Sequence, residues 1–137
     1  MKAKLLLERS MTEDTLLGLV LSTARTFGWL AHHSRPAMMR SGRWATALQG
    51  DSGLPDLVMA RAGHLVVAEL KRYGRRPTMG QCIWLAEMAG VEEWPATRSG
   101  SHTVGNVTVA LWTPQHWYSG EIEGVLRGNA QPLQVRA

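Results

Sequence analysis

Gly53-Leu54-Pro55-Asp56-Leu57-Val58-Met59-Ala60-Arg61-Ala62-Gly63-His64-Leu65-Val66-Val67-Ala68-Glu69-Leu70-Lys71 is the stretch from which the rest of the chain is read. Two short apolar runs, 57–60 and 65–70, flank Arg61-Ala62-Gly63-His64, the pattern of a β-hairpin with a glycine-containing turn. Glu69 and Lys71 stand two apart on the second strand, so alternation sends both side chains to one face. Asp56 opens the first strand. Pairing about a turn at Gly63 brings it to the far end of the hairpin, beside Glu69 and Lys71. Carboxylates and an ammonium converging on one point are costly to bury unless a cation or a substrate uses them.

Upstream, Leu16, Leu17, Val20, Ala24 and Phe27 recur at helical spacing, which predicts a helix over 12–27 with Thr12 as N-cap and Gly28 as its stop. A short strand is expected over 29–33. The polar, Gly- and Arg-bearing stretch up to Gly53 reads as a functional loop or two short strands. Downstream, 73–77 is a basic turn, and 78–89 reads as a helix with Cys82, Leu85, Ala86 and Ala89 on one side and Gly90 as its stop. Residues 91–105 read as an exposed loop, 107–112 as a strand, Pro114 as a turn and 117–126 as a last short helix. The order α, β, β, β, α, β, α predicts an α/β or α+β domain with helices packed on a central mixed β-sheet.

A chain of 137 residues fits one domain, 1–137, and 45% apolar with 19% charged residues is ordinary globular composition. The single cysteine, Cys82, cannot form an internal disulfide and suits a reducing compartment. Without a signal-peptide pattern or an apolar run long enough to span a bilayer, the expectation is a soluble cytoplasmic protein with no membrane partner. The formal net charge is +4. Arg35, Arg40 and Arg43 fall in one stretch and Lys71, Arg72, Arg75 and Arg76 in another; meeting in space, they would make a phosphate-binding surface.

Asp56 and Glu69, joined by a strand carbonyl such as that of Leu70, offer hard oxygen ligands suited to Mg²⁺ or Mn²⁺. Lys71 is placed to hold an attacking water or neutralise developing charge. Zinc is not indicated, because one cysteine and scattered histidines give no ligand spacing. Gly-rich phosphate loops and nucleophile elbows are absent too.

Gly53-x-Pro55-Asp56-Leu57, then Glu69-Leu70-Lys71, then Gln81 on a following helix, resembles the PD-(D/E)XK nuclease superfamily. Within it the chain is similar to the VRR-NUC family, in particular its small standalone bacteriophage members. The likeness covers about 12–126 and extends to Gly28-Trp29, Pro77-Thr78 and Leu111-Trp112-Thr113-Pro114. It implies a restriction-endonuclease-like core and an Mg²⁺- or Mn²⁺-dependent DNA endonuclease, a homodimer acting on branched DNA such as Holliday junctions. Asp56, Glu69, Lys71 and Gln81 would be its catalytic residues, and Glu13, Asp56, Glu69 and the Leu70 carbonyl its metal ligands. Glu13 shares a helical stripe with Leu17, Val20 and Ala24, which points it toward the sheet, although a first-turn glutamate also suits the helix dipole. Segment 91–105 departs from the family pattern by its length. The rival readings are a flap or single-strand nuclease, and a catalytically inactive DNA-binding or adaptor protein.

Among the aromatic residues, Trp44 beside Arg43 is the candidate for stacking on bases, while Trp84, Trp112 and Trp117 suit the core or a subunit interface. His32 and His33 are read as packing residues rather than DNA contacts. His64, in the hairpin turn, is expected to be exposed and inert.

Overall fold

The computed structural model describes residues 2–34, 37–38, 44–45 and 50–128. Arg35, Arg40 and Arg43, and the side chain of Trp44, lie outside the described residues. Along the chain run α1 (Lys2–Ser10), α2 (Glu13–Thr26), β1 (Leu30–His33), β2 (Ala37–Met38), β3 (Trp44–Ala45), β4 (Leu57–Arg61) and β5 (His64–Leu70). Then follow α3 (Met79–Ala89), β6 (Gly100–Val104), β7 (Val107–Trp112), α4 (Pro114–Tyr118) and α5 (Glu121–Arg127). Five strands form one sheet in the order β1-β4-β5-β7-β6, with β2 and β3 paired separately. Only β5 and β7 run parallel in that sheet, the rest pairing antiparallel, so the protein is α/β with a mixed sheet.

The expected hairpin is present, with Arg61 opposite His64 and Leu57 opposite Ala68. Its turn is Ala62-Gly63, with φ of 48° and 82°. A two-residue turn of type I′, whose twist matches that of its strands, has positive φ at both positions, and only the first costs a side chain. Residues alternate across β5, so each sheet face has its own core. Leu57, Met59, Val66, Ala68, Leu70, Ala110 and Trp112 pack under Leu16, Leu17, Val20 and Ala24 of α2 and Ile122, Val125 and Leu126 of α5. On the opposite face Val109 and Leu111 meet Leu85, Ala86 and Ala89 of α3.

Both long helices are bounded as their sequence signals predict. Thr12 accepts from the Thr15 amide at 3.1 Å to cap α2. In α3 a capping box joins Thr78 and Gln81, and Gly90 closes the helix in the left-handed conformation.

The expected elements need correction at four places. Segment 91–105 is not all loop: 100–104 is strand β6, which pairs with β7 as the sheet's edge. Its middle residues Ser101, His102 and Thr103 are polar and half-buried between a buried Gly100 and an exposed Val104, so the apolar alternation that announces a strand is missing. The last helix is broken into α4 and α5 by Gly120 at φ 87°, and Pro114 is not a turn but the first residue of α4, where its fixed φ fits. Helix α1 was not expected at all. Its three consecutive leucines form no stripe; Leu6 and Leu7 are 66% and 51% exposed while Glu8 is buried. No described helix is long and apolar enough to cross a membrane.

At the turn end of the hairpin, Trp29 ties the layers together. Its Nε1 donates to the Leu126 carbonyl at 2.7 Å, the Arg61 guanidinium lies 4.6 Å above its ring, and His64 meets it edge-on at 5.9 Å. Arg61 also donates to the carbonyls of Phe27 and Leu126, each at 2.9 Å. His64 bonds to Thr108 at 3.0 Å and its pKa is lowered by burial, so it is structural rather than an inert surface residue. Trp29→Phe should cost about 1–2 kcal/mol, because Arg61 still satisfies the Leu126 carbonyl. A urea midpoint shift at unchanged m-value measures it, and a loss above about 4 kcal/mol would mean that the indole holds more than this one bond.

Candidate active site

The site lies at the other end of the hairpin. With Leu57 opposite Ala68, continuing the register by one residue sets Asp56 opposite Glu69. The same row crosses into β7, where Glu69 pairs with Leu111. Strand β1 extends the ladder on the other side, and the Ser34 amide donates to the Asp56 carbonyl at 2.8 Å. Backbone pairing therefore fixes where both carboxylates stand before any side-chain contact is considered.

The loop before Asp56 is pressed onto the start of α3. Gly53 has φ 103°, and a Cβ there would overlap the Gly80 carbonyl and come 2.7 Å from the Gln81 nitrogen. Only glycine fits both demands. The Trp84 indole also donates to the Asp51 carbonyl at 3.3 Å, so Trp84 is half-buried and pins this loop. Trp112 is fully buried and Trp117 packs against the same core, as their reading as core residues requires.

That close approach delivers Gln81 to Glu69. Its Nε2 donates to Glu69 Oε2 at 2.9 Å, while its Oε1 accepts from the Thr78 amide at 2.9 Å. Lys71 Nζ lies 3.5 Å from the same Glu69 oxygen. On the far side of the row, His33 Nε2 is 3.2 Å from Asp56 Oδ2. Glu69 is only 5% exposed, and burial first, then Asp56, push its carboxyl up to about 7 against the opposing pull of Lys71. Burial likewise raises the Asp56 carboxyl, with His33 acting the other way.

Among the described residues, the buried side-chain polar atoms with no partner are His33 Nδ1, Asp56 Oδ1 and Glu69 Oε1. All three belong to this one constellation. Orphaned buried polar atoms are rare in folded proteins, and each costs about 1–3 kcal/mol unless something binds it.

The structure thus brings Asp56, Glu69, Lys71 and Gln81 together. Leu70 fills the core with its side chain, so its carbonyl alone is left as a ligand candidate. The expectation for Glu13 is corrected in one respect. Leu16, Leu17, Val20 and Ala24 are buried, but Glu13 is the first residue of α2 and stays exposed. It still stands in the field of the site: its carboxyl is raised by the protein around it and next by Asp56, with Lys71 and His33 opposing. Arg72, Arg75 and Arg76 are exposed on the turn that follows Lys71.

His33 is the site residue that the sequence did not single out. Its signal is the β1–β4 register, which pairs it with Leu57, next to Asp56. His32, its neighbour, is exposed.

Among the described residues no three His, Cys, Asp or Glu side chains close around a point as a ready-made metal cage. The donor set nevertheless fits a hard cation that keeps much of its water, because Mg²⁺ is commonly held by one or two carboxylates plus substrate oxygens. The two orphaned carboxylate oxygens are the atoms it would take. Comparison of the chain with family models, curated proteins and solved structures gives no match.

A carboxyl whose pKa rises on folding binds its proton more tightly folded than unfolded. Between its ordinary 4.5 and about 7, folding therefore takes up a proton, and stability falls as pH rises through that window. The full effect is on the order of 3 kcal/mol, present as a loss at pH 8 and absent below the unfolded value. In EDTA, Glu69→Gln should therefore stabilise the protein by about 1–3 kcal/mol at pH 8, with the gain vanishing near pH 4. Denaturant unfolding at the two pH values tests it; destabilisation at both would refute the assignment of strain to the Glu69 charge.

Proposed function

We propose that this protein is a metal-dependent DNA endonuclease of the VRR-NUC type, with a PD-(D/E)XK core of the restriction-endonuclease kind. One observation carries the reading: every buried unpartnered side-chain polar atom among the described residues lies in the constellation around Asp56 and Glu69. A structural ion pair satisfies its own oxygens, whereas this site holds Glu69 by one face through Lys71 and Gln81 and leaves the other oxygen bare. The resemblance of Gly53-x-Pro55-Asp56-Leu57, Glu69-Leu70-Lys71 and Gln81 to the superfamily motif supports the same conclusion from the sequence.

Asp56, Glu69 and the Leu70 carbonyl would hold Mg²⁺ or Mn²⁺, with Glu13 at the rim. The bound ion would supply Lewis-acid polarisation of a phosphate and lower the pKa of a water. Lys71 offers an ammonium beside the reacting phosphate, where it stabilises charge that develops in the transition state. Gln81 keeps Glu69 in place and would orient water with its remaining amide N–H. His33 holds the second Asp56 oxygen, which fixes the rotamer of that carboxylate.

The substrate class follows from charge. The net charge of +4 and the arginines after Lys71 suit a phosphate backbone, and no described element resembles a base-reading module. Recognition of DNA shape, branched junctions first, is the reading we adopt. Paired symmetric nicks would need two sites about a two-fold axis, which a homodimer provides.

The decisive assay is cleavage of labelled four-way junction, flap, linear duplex and single-stranded DNA with Mg²⁺, Mn²⁺ or EDTA. Junction cutting that requires metal and falls at least about a hundredfold in Lys71→Ala is the expected result. Preference for flaps or single strands would redirect the substrate class. Folded protein that cuts nothing with either metal would leave a DNA-binding or adaptor role.

A further inference from the structure

A groove of about 310 Å³ opens beside the site between the 73–77 turn and the 96–99 turn, with Leu111 and Thr113 below. Arg75 and Arg76 stand on one bank, Arg98 with Thr97 and Ser99 on the other, and no carboxylate is among its lining residues. An uncompensated set of guanidinium groups and hydroxyls is the lining an anion needs.

The register ties this groove to the carboxylates. Asp56, Glu69, Leu111 and Gly100 form one row across β4, β5, β7 and β6, so the groove continues the line of the site toward the β6 edge. Two strand spacings separate Glu69 from the residues next to Gly100, or about 10 Å, so the groove is within reach of the phosphates that flank one bound beside Glu69.

Arg98 is also held for the task. Its guanidinium lies 4.1 Å over the Trp94 ring and donates to His102 Nδ1 at 3.1 Å. Trp94 is itself buried, and its indole donates to the Arg98 carbonyl at 3.2 Å. An arginine fixed by stacking and one hydrogen bond keeps further N–H donors of its five for a ligand, with little rotamer freedom left to lose.

We infer that the 91–99 segment builds the second wall of a track for the phosphates of one DNA strand flanking the cut, with Arg98 as its fixed anchor opposite Arg75 and Arg76. This rests on the nuclease reading and gives that segment its purpose. Phosphate contact by these residues is independent of base identity, so the track positions the strand rather than reading it.

The test measures junction binding in EDTA by fluorescence anisotropy across salt concentrations, and steady-state cleavage with Mg²⁺, for wild type, Arg98→Ala and Arg75→Ala/Arg76→Ala. Arg25→Ala, in the last turn of α2 and about 18 Å along that helix from Glu13, is the control. Arg98→Ala should weaken binding about tenfold, lower the slope of log K against log salt by about 0.9, and raise KM more than it lowers kcat. The exposed pair variant should lower the slope further, and it guards against misfolding of the Arg98 variant. If wild type cuts while both variants bind and cut as Arg25→Ala does, the track is overturned and the nuclease stands. Wild type that binds through the groove but never cuts would keep the track and remove the nuclease. Absence of both binding and cutting would overturn the two together.

Discussion

Everything near the site answers to one constraint: Glu69 is buried on the sheet directly across from Asp56. Two like charges so placed cannot both be comfortable away from water; burial and then Asp56 push the Glu69 carboxyl up, while burial raises that of Asp56. The surrounding residues relieve it only in part. Lys71 and Gln81 serve one Glu69 oxygen, and His33 serves one Asp56 oxygen. Gln81 has two duties: its carbonyl end closes the cap of α3 and its amide end holds Glu69. The start of that helix and the geometry of the carboxylate are therefore one network, and Gly53 is what allows the preceding loop to come close enough to complete it.

The register of the hairpin carries this arrangement over a distance. From Arg61 opposite His64 to the Asp56–Glu69 row is five residues, or about 17 Å of strand. A slip of one residue would turn Glu69 into the α2 core and push Ala68 and Leu70 to the other face. The Ala62-Gly63 turn, with both residues at positive φ, excludes that slip, so an unfavourable alanine conformation at one end sets the placement of the carboxylates at the other.

Legibility in the sequence followed the strength of local signals. The hairpin, α2 and α3 were readable because apolar period, caps and stop glycines agree there. Asp56, Glu69 and Lys71 were readable as a group because strand alternation and a single turn relate them. His33 was not, since its place depends on a non-local pairing of β1 with β4 that no spacing announces. Glu13 was only half readable: the stripe identifies its helix face, but how far burial extends toward the first residue of α2 is a tertiary fact. Strand β6 and helix α1 failed for opposite reasons, one too polar for a strand pattern and the other apolar without a face.

The two ends of the hairpin show how differently the same sheet treats its polar groups. At the turn end Trp29, Arg61, His64 and the Leu126 carbonyl have partners in several directions, and a cation over an indole adds to the closure. At the Asp56 end the groups are similarly enclosed, yet unmet bonds collect there. A protein that needed only stability would replace such a cluster by apolar residues or complete its hydrogen bonds, since half-satisfied buried networks are worse than either. Holding strain at one end of a sheet whose other end is fully tied is the arrangement expected when the missing partners arrive from outside the chain. The groove lined by three arginines and no carboxylate follows the same row of the sheet, so a lining suited to an anion and the two bare carboxylate oxygens are neighbours in the fold.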